Sequence, residues 1–384
     1  MALPQDLPRV GILSTFGHST NSASFLERLV VVESSLAAVL HVIAPDRDWE
    51  DRSNVVFHRV RYEVGKNPLG QIVNQAIAQV RMSFRLAGLI RKVDYWIFYG
   101  GDVLLLPAIT GRLLGRRIVV ALAGNLEREA QLKKNALNRF QIVMRRAVFA
   151  LSDRILLFSE SLTSQWHLER YRPKTMVADS HFLELTVFRI ERPLDQRDLA
   201  IGYIGRLSEE KGVLNLAEAI PLVLQQEPRA RFLIVGDGPL HDRMRAYVED
   251  RNLQGRVTMV DRVPGKAVPR YLNELKLCVL PSYTEGMPNI VLEAMACGAP
   301  VLATPVGAIP DLIQDGRTGF LMEGNSPECI ASNIIRAIRC DDLAEVVDSA
   351  RRLVERRFTL AAAVESFRRV TPQWRAALPP RADQ

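Results

Sequence analysis

Short β-rich runs alternate with helical patterns along almost the entire chain, in two successive series. The first series covers residues 10–158 and the second covers residues 201–339. Several β-rich runs are apolar on both faces, as expected for strands of a parallel sheet that helices cover on each side. A chain of 384 residues is long enough for two such domains. The sequence therefore predicts an α/β protein with two doubly wound, Rossmann-like domains.

The joint between the two series is predicted within residues 186–198, where the stretch ERPLDQRD is polar and carries a proline. We therefore predict a first domain over residues 1–188 and a second over residues 189–360. A last helical pattern over 361–384 has no strand after it. Because open α/β sheets bind ligands at the carboxyl ends of their strands, we expect the chemistry in a cleft between two facing domains.

Composition narrows the class of protein further. With 48% hydrophobic and 24% charged residues, the chain reads as globular rather than disordered. No apolar run reaches the length of a bilayer-spanning helix, and the start MALPQDLPRV lacks the apolar stretch of a secretory signal. The four cysteines have no C-x-x-C spacing, which is typical of reduced thiols rather than of a disulfide frame or a zinc site. We expect a cytoplasmic protein without a metal site.

The basic charge lies in the first half. Residues 1–190 hold 25 Lys and Arg against 17 Asp and Glu, whereas residues 191–384 hold 25 against 26. This imbalance predicts an acidic partner for the first half. Residues 81–92 and 133–146 place Arg and Lys around apolar residues. Such helices either lie on an anionic membrane, as a peripheral contact, or pack on their own domain with solvated arginines.

Nucleic acid is not predicted as a partner. The basic residues of the first half are not interleaved with aromatic residues that could stack on bases, and no nucleic-acid-binding motif is present.

Two loops of the second series point to phosphate. In GYIGRLSEEKG a strand ends at Gly205, Arg206 follows at once, and Lys211 opens the next helix. Two cations beside a helix N-terminus suit a diphosphate, although an ordinary βα turn with surface cations explains them too. In LIVGDGPLHDRM, Gly236 predicts a tight turn against a ligand. The third glycine of a dinucleotide fingerprint is replaced by His241, so a nicotinamide site is not favoured.

A third loop carries two carboxylates. In TEGMPNIVLEAMACGAP, Glu285 lies on the loop after a strand, and Pro288 is placed to begin a helix. Glu293 lies inside that helix, with apolar neighbours on all sides. Carboxylates accept hydrogen bonds from hydroxyls, so two of them at one cleft suit a ligand rich in hydroxyl groups. For Glu293 the alternative is a buried salt bridge to an arginine of the same domain.

These loops closely resemble the family 4 (group 1) retaining glycosyltransferases of the GT-B fold. The likeness runs from Ile201 to about Phe358. It is specific at G-R-L-x-x-x-K-G, at V-G-D-G-P, at E-G-M-P-N-I-V-L-E-A-M-A-C-G-A-P-V, and at V-G-A-I-P-D-L-I followed by D-G-x-T-G-F-L. The resemblance implies that the C-terminal helix crosses back to the first domain.

The resemblance also implies roles for single residues. Arg206 and Lys211 would hold the diphosphate of a nucleotide-sugar donor, and Glu285 would contact the hydroxyls of the donor sugar. Glu293 would contact the ribose. The implied catalytic residues are Glu285, Arg206 and Lys211. The implied donor site consists of Gly205, Arg206, Lys211, Gly236, Val263, Glu285, Gly286, Met287, Pro288, Asn289, Ile290 and Glu293. No metal and no cofactor are implied, because the cations and a helix dipole offset the charge of the leaving diphosphate.

The first half departs from the family pattern. Many relatives carry a histidine at a strand end near the donor sugar, whereas this chain reads VVALAGNLER there. His18, Gly101 and Asn125 are candidates for the acceptor side, although a loop histidine such as His18 is often only solvated. Asp102 is a candidate helix cap.

The implied activity is transfer of a sugar, with retained configuration, to a glycan or lipid-linked acceptor. The alternatives are an epimerase or phosphorylase-like enzyme of the same fold, and a non-catalytic nucleotide-sugar-binding protein. The absent histidine of the first half is the reason for keeping the non-catalytic alternative.

Overall fold

The computed structural model describes residues 7–15, 21–45, 52–61, 68–122, 136–198 and 200–375. The chain divides into two compact units. The first comprises Met1–His181 with Leu360–Gln384, and the second comprises Phe182–Thr359.

The first unit is built on a sheet of seven parallel strands in the order β3-β2-β1-β4-β5-β6-β7. Its strands are β1 (Arg9–Ser14), β2 (Val39–Ala44), β3 (Val55–Arg59), β4 (Tyr95–Tyr99), β5 (Arg117–Ala121), β6 (Arg154–Leu157) and β7 (Thr175–Val177). Its helices before the second unit include α1 (Asn21–Ser34), α2 (Pro68–Gly88), α3 (Leu105–Leu113), α4 (Ala136–Leu151) and α5 (Ser161–Gln165).

The order of the strands fixes which face of this sheet each helix covers. Helices α2, α3 and α4 all connect strands that succeed one another in the direction from β3 to β6, so right-handed crossovers place them on one face. Met82 of α2, Ala108 of α3 and Val148 of α4 accordingly share one buried cluster with Trp96 and Phe98 of β4. Helix α1 runs the other way, from β1 to β2, and lies on the opposite face.

The second unit holds six parallel strands in the order β10-β9-β8-β11-β12-β13. Its strands are β8 (Ala200–Ile204), β9 (Arg231–Val235), β10 (Val257–Val260), β11 (Leu277–Leu280), β12 (Val301–Ala303) and β13 (Phe320–Leu321). Its helices include α6 (Val213–Gln226), α7 (His241–Asp250), α8 (Val268–Leu272), α9 (Asn289–Ala296), α10 (Ile309–Leu312), α11 (Pro327–Ile338) and α12 (Leu343–Arg357).

The boundary between the units differs from the one predicted. Residues 182–188 were expected in the first domain, but they belong to the second unit. The N–H group of Leu183 donates to the carbonyl of Phe358 at 2.9 Å, and Leu183 and Phe188 pack into a hydrophobic cluster of the second unit. The polar stretch ERPLDQRD therefore lies inside the second unit rather than at the joint.

The last helix that the structure describes belongs to the first unit. Helix α13 (Leu360–Arg375) contacts α1, and the amide of Asp179 donates to the Ser366 hydroxyl at 3.1 Å. Among the described residues, no helix has the length and apolar content needed to cross a bilayer.

Candidate functional site

The second unit has its topological switch point between β8 and β11. From β8 the chain leads to β9 and β10 on one side, whereas β11 leads to β12 and β13 on the other. The loops after β8 and after β11 therefore part at this point and leave a crevice at the carboxyl ends of the strands, which is where open α/β sheets bind ligands. The loop after β8 carries Arg206 and Lys211, and the loop after β11 carries Glu285.

Lys211 and Glu285 meet across this switch point. The Lys211 ammonium donates to both carboxylate oxygens of Glu285, each at 2.7 Å. The Glu285 side chain is 8% exposed and the Lys211 side chain is 26% exposed. A nearly buried carboxylate requires a partner, and here that partner is the cation that the sequence assigned to a diphosphate.

Glu285 is also held from its own strand end. The hydroxyl of Ser282, which is buried, donates to Glu285 Oε1 at 2.7 Å. The hydroxyl of Thr304, at the end of β12, donates to the Ser282 carbonyl at 2.6 Å. Hydrogen bonds from two neighbouring strand ends thus fix the orientation of the carboxylate.

Two glycines allow the loops to approach the sheet closely. Gly212 has φ of +64°, and a Cβ atom there would collide with the Pro281 carbonyl oxygen. Gly236 has φ of +150°, and its Cβ would collide with the Gly205 carbonyl oxygen. Both conformations favour glycine. They let the loop after β8 lie against the loops after β11 and β9, which brings Lys211 within reach of Glu285.

Arg206 is the exposed member of the predicted trio. Its backbone is fixed because the buried hydroxyl of Tyr203 donates to the Arg206 carbonyl at 2.7 Å. Burial, with the charges of Glu285 and Glu210, holds the pKa of Tyr203 well above its usual value, so this hydroxyl stays a donor. The Arg206 guanidinium forms no ion pair with any carboxylate in the part of the chain that the structure describes. Its charge is available to a ligand.

Residues that sequence reasoning missed complete the framework of the two loops. The Asn215 amide donates to the Tyr283 hydroxyl at 2.9 Å and to the Asn325 carbonyl at 2.6 Å. The amide of Asn325 donates to the Pro281 carbonyl at 3.1 Å. Ser282, which orients Glu285, could have been found from the sequence, because it ends the predicted strand LCVLPS close to Glu285. The two asparagines carry no such signal, since their partners come from distant parts of the chain.

Glu210 is a second carboxylate of the loop after β8. Burial alone would raise its pKa, but hydrogen bonds outweigh burial and lower it. The strongest of these comes from the Ser208 hydroxyl, which donates to Glu210 Oε1 at 2.6 Å. The Tyr283 amide donates to the Glu210 carbonyl at 2.9 Å. Glu210 therefore stays ionised and links the two loops.

Glu293 lies on α9 and is half-buried. Burial raises the pKa of Cys278 to about 12, and the charge of Glu293 adds to the shift. The same two causes, in the same order, raise the pKa of Cys297 to about 12. The charge of Glu293 thus acts on two thiols, one on β11 and one directly after α9.

These two shifts predict which thiols react. Cys278 and Cys297 are fully buried and stay protonated near neutral pH, whereas Cys329 and Cys340 are half-buried. Because the thiolate is the nucleophile, we expect Ellman's reagent to titrate two thiols of the native protein at pH 8 and all four in urea. Equal reaction rates for all four in the native protein would contradict the burial of Cys278 and Cys297.

The remaining predicted donor residues surround the same loop. Met287 and Pro288 are buried, and α9 begins at Asn289, one residue after the predicted start. Ile290 and Val263 are partly buried and pack on the cluster that contains Met287. The Gly286 carbonyl accepts from the Ala308 amide at 2.8 Å. The amides of Gly205 and Gly236 donate to strand carbonyls, which fixes both turns.

Of the three residues predicted for the acceptor side, only Gly101 lies among the described residues. His18 and Asn125 lie outside the described residues. Gly101 follows β4, at the carboxyl edge of the first sheet, and a Cβ atom there would lie 2.6 Å from Cβ of Phe98. Gly101 belongs to the first unit, whereas the predicted donor residues belong to the second.

Asp102 is not the helix cap that the sequence suggested. Helix α3 has Leu104 at its N-cap position and no side-chain cap. Asp102 instead faces Arg145 of α4, with Oδ2 at 3.7 Å from Nε. Arg145 is 2% exposed, and burial raises the pKa of Asp102 while the Arg145 charge opposes this shift. Arg145 therefore belongs to the core and not to the solvated basic face that the sequence suggested.

No three carboxylate, imidazole or thiol groups cluster as metal ligands among residues that the structure describes.

The comparisons with known proteins concern first the second unit. Residues 198–340 match the family model described as glycosyl transferases group 1. This part of the chain is similar to the group 1 glycosyltransferases. TuaC of Bacillus subtilis (strain 168), named for teichuronic acid biosynthesis, is 40% identical over 148 residues. The amylovoran biosynthesis glycosyltransferase AmsK of Erwinia amylovora is 32% identical over 167 residues.

The matches with these two relatives are partial. They span 38% of this chain and 34% of TuaC, and 42% of this chain and 41% of AmsK. The chain thus aligns with less than half the length of these curated relatives.

The fold can be compared over nearly the whole chain. HepE of Anabaena, solved in complex with UDP, superposes with a TM-score of 0.74 at 16% sequence identity. The superposition covers 95% of this chain and 100% of HepE. The two parallel Rossmann-like sheets therefore have the GT-B fold, and the predicted fold class is confirmed.

Proposed function

We propose that this protein is a glycosyltransferase that moves a sugar from a nucleotide-diphosphate sugar to a glycan or lipid-linked acceptor, with retained configuration. The observation that carries the proposal is the contact between Lys211 and Glu285 at the switch point of the second sheet. It joins a phosphate-binding type of residue to a hydroxyl-binding one, which is the combination that a sugar diphosphate requires. The UDP bound to HepE, a protein of the same fold, supports a nucleoside diphosphate as the common part of the donor.

Arg206 and Lys211 would hold the diphosphate. The guanidinium of Arg206 is exposed and can bind phosphate oxygens through two parallel hydrogen bonds. Lys211 adds a second positive charge from the same loop. As the sugar departs, negative charge grows on the leaving diphosphate, and two fixed cations stabilise that transition state more than the ground state. These residues would therefore act in catalysis as well as in binding.

Donor binding would change the partners of Glu285. When Lys211 turns to the diphosphate, the carboxylate loses its charged partner and keeps the hydrogen bond from Ser282. A buried carboxylate needs replacement donors, and the hydroxyls of the donor sugar supply them. Glu285 would then orient the sugar as positive charge develops at its anomeric carbon. Glu293, further along α9, would accept from the ribose.

For the acceptor we propose a glycan or a lipid-linked glycan. The names of TuaC and AmsK refer to the biosynthesis of polysaccharides, which supports this class. We propose further that the basic first unit makes a peripheral contact with an anionic membrane, where a lipid-linked acceptor resides. Transfer would need no metal, since Arg206 and Lys211 supply the positive charge at the diphosphate.

A thermal-shift panel of nucleoside diphosphates and their sugars tests the proposal. We expect at least one diphosphate to raise the melting temperature, since a ligand that binds only the folded state stabilises it. Arg206→Ala should abolish this shift, whereas Arg339→Ala, which removes an exposed arginine that pairs with Glu227, should preserve it. If no nucleotide stabilises the protein, or if Arg206→Ala leaves the shift unchanged, the donor site is wrongly assigned.

The products of a reaction with the stabilising donor separate the remaining alternatives. A glycosylated acceptor whose new bond keeps the donor's anomeric configuration, formed equally well with a chelator present, is the expected result. A free isomer of the sugar or a sugar phosphate would indicate an epimerase or a phosphorylase-like enzyme. Donor binding without transfer or hydrolysis would indicate a non-catalytic binding protein.

A further inference from the structure

The face of the first sheet that α2, α3 and α4 cover has an unusual outer surface. Helix α3 contacts both α2 and α4, and the Leu106 amide of α3 donates to the Gln79 side chain of α2 at 3.0 Å. The three helices therefore form one layer. On its outer side this layer exposes large apolar side chains from each helix.

These apolar side chains are regularly spaced. On α2, Val73, Ile77, Val80 and Phe84 follow one another at intervals of four, three and four residues, which keeps them within roughly 60° of arc on the helix. On α3, Leu106, Ile109 and Leu113 repeat the spacing. The exposed fractions reach 76% at Phe84 and 81% at Leu113. We call these seven residues the apolar stripe.

The apolar stripe is not the core-facing side of its helices. Met82 and Leu86 of α2 point inward and are fully buried in the cluster around Trp96. Helix α2 is therefore apolar on two sides, and only one of them is needed to hold it on the sheet. Contiguous exposed apolar surface of this kind marks an interaction site in proteins that are otherwise soluble.

Arginines border the apolar stripe beside Phe84. A cavity of about 460 Å³ is lined by Arg59, Val60, Arg61, Arg81, Phe84 and Arg85. The Arg81 guanidinium donates to the Arg61 carbonyl at 3.1 Å. Neither Arg81 nor Arg85 forms an ion pair with a carboxylate of the described residues. The guanidinium groups of Arg81 and Arg85 beside this cavity suit phosphate oxygens.

No negative charge on these helices opposes an anion. The sequences of α2 and α3 contain no Asp or Glu. Burial lowers the pKa of His58, and the positive charges of Arg85 and Lys92 lower it further. The cations of this region therefore act on a neighbouring titratable group. An apolar surface bordered by arginines is complementary to the interface of an anionic membrane.

We infer that the apolar stripe inserts into the surface of an anionic lipid bilayer, with Arg81 and Arg85 binding a lipid headgroup phosphate in the cavity beside Phe84. This deepens the proposed function, on which it rests for its biological meaning, because it names the surface at which a lipid-linked acceptor is met. The sequence directed attention to residues 81–92 and 133–146, whereas the structure places the exposed apolar side chains of α2 mainly upstream, at 73–84.

A second copy of the chain fits this surface less well. In a twofold-symmetric contact the same patch meets itself, so the arginine border of one copy would face that of the other. Neither α2 nor α3 offers a carboxylate to compensate. Phospholipid headgroups, in contrast, supply the missing negative charge.

Co-sedimentation of the full chain with vesicles tests the inference. Vesicles of phosphatidylcholine with phosphatidylglycerol should bind the protein, and vesicles of phosphatidylcholine alone should bind it much less. The double variant Phe84→Gln/Leu113→Gln should lose at least about tenfold in binding, since two large exposed side chains no longer enter the apolar phase. Arg81→Glu/Arg85→Glu should lose about tenfold or more, and the loss should shrink at high salt.

Matched controls lie on the other side of the first unit. Leu360→Gln replaces an exposed apolar residue of α13, and Arg369→Glu reverses an exposed arginine of the same helix. Both should bind vesicles as the wild type does. All the changed side chains are exposed, so the variants should fold.

The outcomes separate the partners and the two proposals. Equal vesicle binding by wild type and both double variants, or no binding to either vesicle, overturns the inference. A dimer in sedimentation velocity that Phe84→Gln/Leu113→Gln dissolves would assign the stripe to a second copy and likewise overturn it. The nucleotide-induced thermal shift should be unchanged in all these variants. A nucleotide-induced thermal shift without vesicle binding would support the proposed glycosyltransferase and overturn the membrane surface. Vesicle binding without a thermal shift would support the membrane surface and overturn the donor site.

Discussion

Lys211→Ala should weaken nucleoside diphosphate binding by about tenfold to a hundredfold, because a charge-assisted hydrogen bond contributes roughly 1.5–3 kcal/mol. The loss in turnover should be larger, about a hundredfold or more, since the same cation also stabilises charge that develops on the leaving group. Isothermal titration calorimetry and a transfer assay with saturating donor measure the two effects separately. Lys276→Ala, at the amino end of β11 and thus at the opposite edge of the sheet, is the matched control.

Glu285→Gln distinguishes the role of Glu285 from that of Lys211. The amide retains the contact with Ser282 but removes the negative charge that now engages Lys211. A free nucleoside diphosphate should therefore bind at least as tightly as it does to the wild type, while transfer falls steeply. If Lys211→Ala behaves like Lys276→Ala, or if Glu285→Gln loses diphosphate binding and keeps turnover, the assigned roles are wrong.

Asp102→Asn should destabilise the first unit by about 3–5 kcal/mol, because it leaves the buried Arg145 guanidinium without its counter-charge. None of the three Arg145 side-chain nitrogens has a hydrogen-bond partner in the described structure, so Asp102 at 3.7 Å is the main compensation for the charge. Arg145→Met should cost less, since the remaining carboxyl, whose pKa burial raises, can take up a proton. The double variant Asp102→Asn/Arg145→Met should recover much of the stability of the single Asp102 variant.

Tryptophan fluorescence during urea unfolding can follow this cycle in the first unit alone. Trp96 and Trp166 are buried in the first unit, and the sequence of the second unit, residues 182–359, contains no tryptophan. Near-additive effects of the two substitutions would show that Asp102 and Arg145 are not energetically coupled. A variant of the second unit such as Lys276→Ala should leave the fluorescence transition in place.

Much of the fold could be predicted from the sequence, because strands buried on both faces are recognisable from their apolar runs. Tyr95–Tyr99 is entirely buried at the centre of the first sheet, and the sequence YWIFY shows it. Helix α12 escaped prediction because the expected alternation calls for a strand after α11. Its buried residues Val346, Val347, Ala350 and Val354 nevertheless follow a helical spacing. Strand β7, with three residues at a sheet edge, carries too little pattern.

The site could be predicted only in part. Motif spacing placed Arg206, Lys211 and Glu285 at one edge of the second sheet, and the structure brings Lys211 and Glu285 into contact there. That they neutralise each other could not be predicted, since 74 residues separate them and the contact depends on the order of the strands. The pairing of Asp102 with Arg145 was hidden for the same reason. From local sequence Asp102 was a candidate helix cap and Arg145 part of a solvated basic face, because local sequence cannot show a partner from another element.

A crystal structure with a bound nucleotide-diphosphate sugar tests the central claim most directly. We predict that the diphosphate lies within hydrogen-bonding distance of Arg206 and Lys211, that the contact between Lys211 and Glu285 opens, and that Glu285 accepts from a sugar hydroxyl. A diphosphate bound elsewhere, with Lys211 still at 2.7 Å from both oxygens of Glu285, would contradict the account.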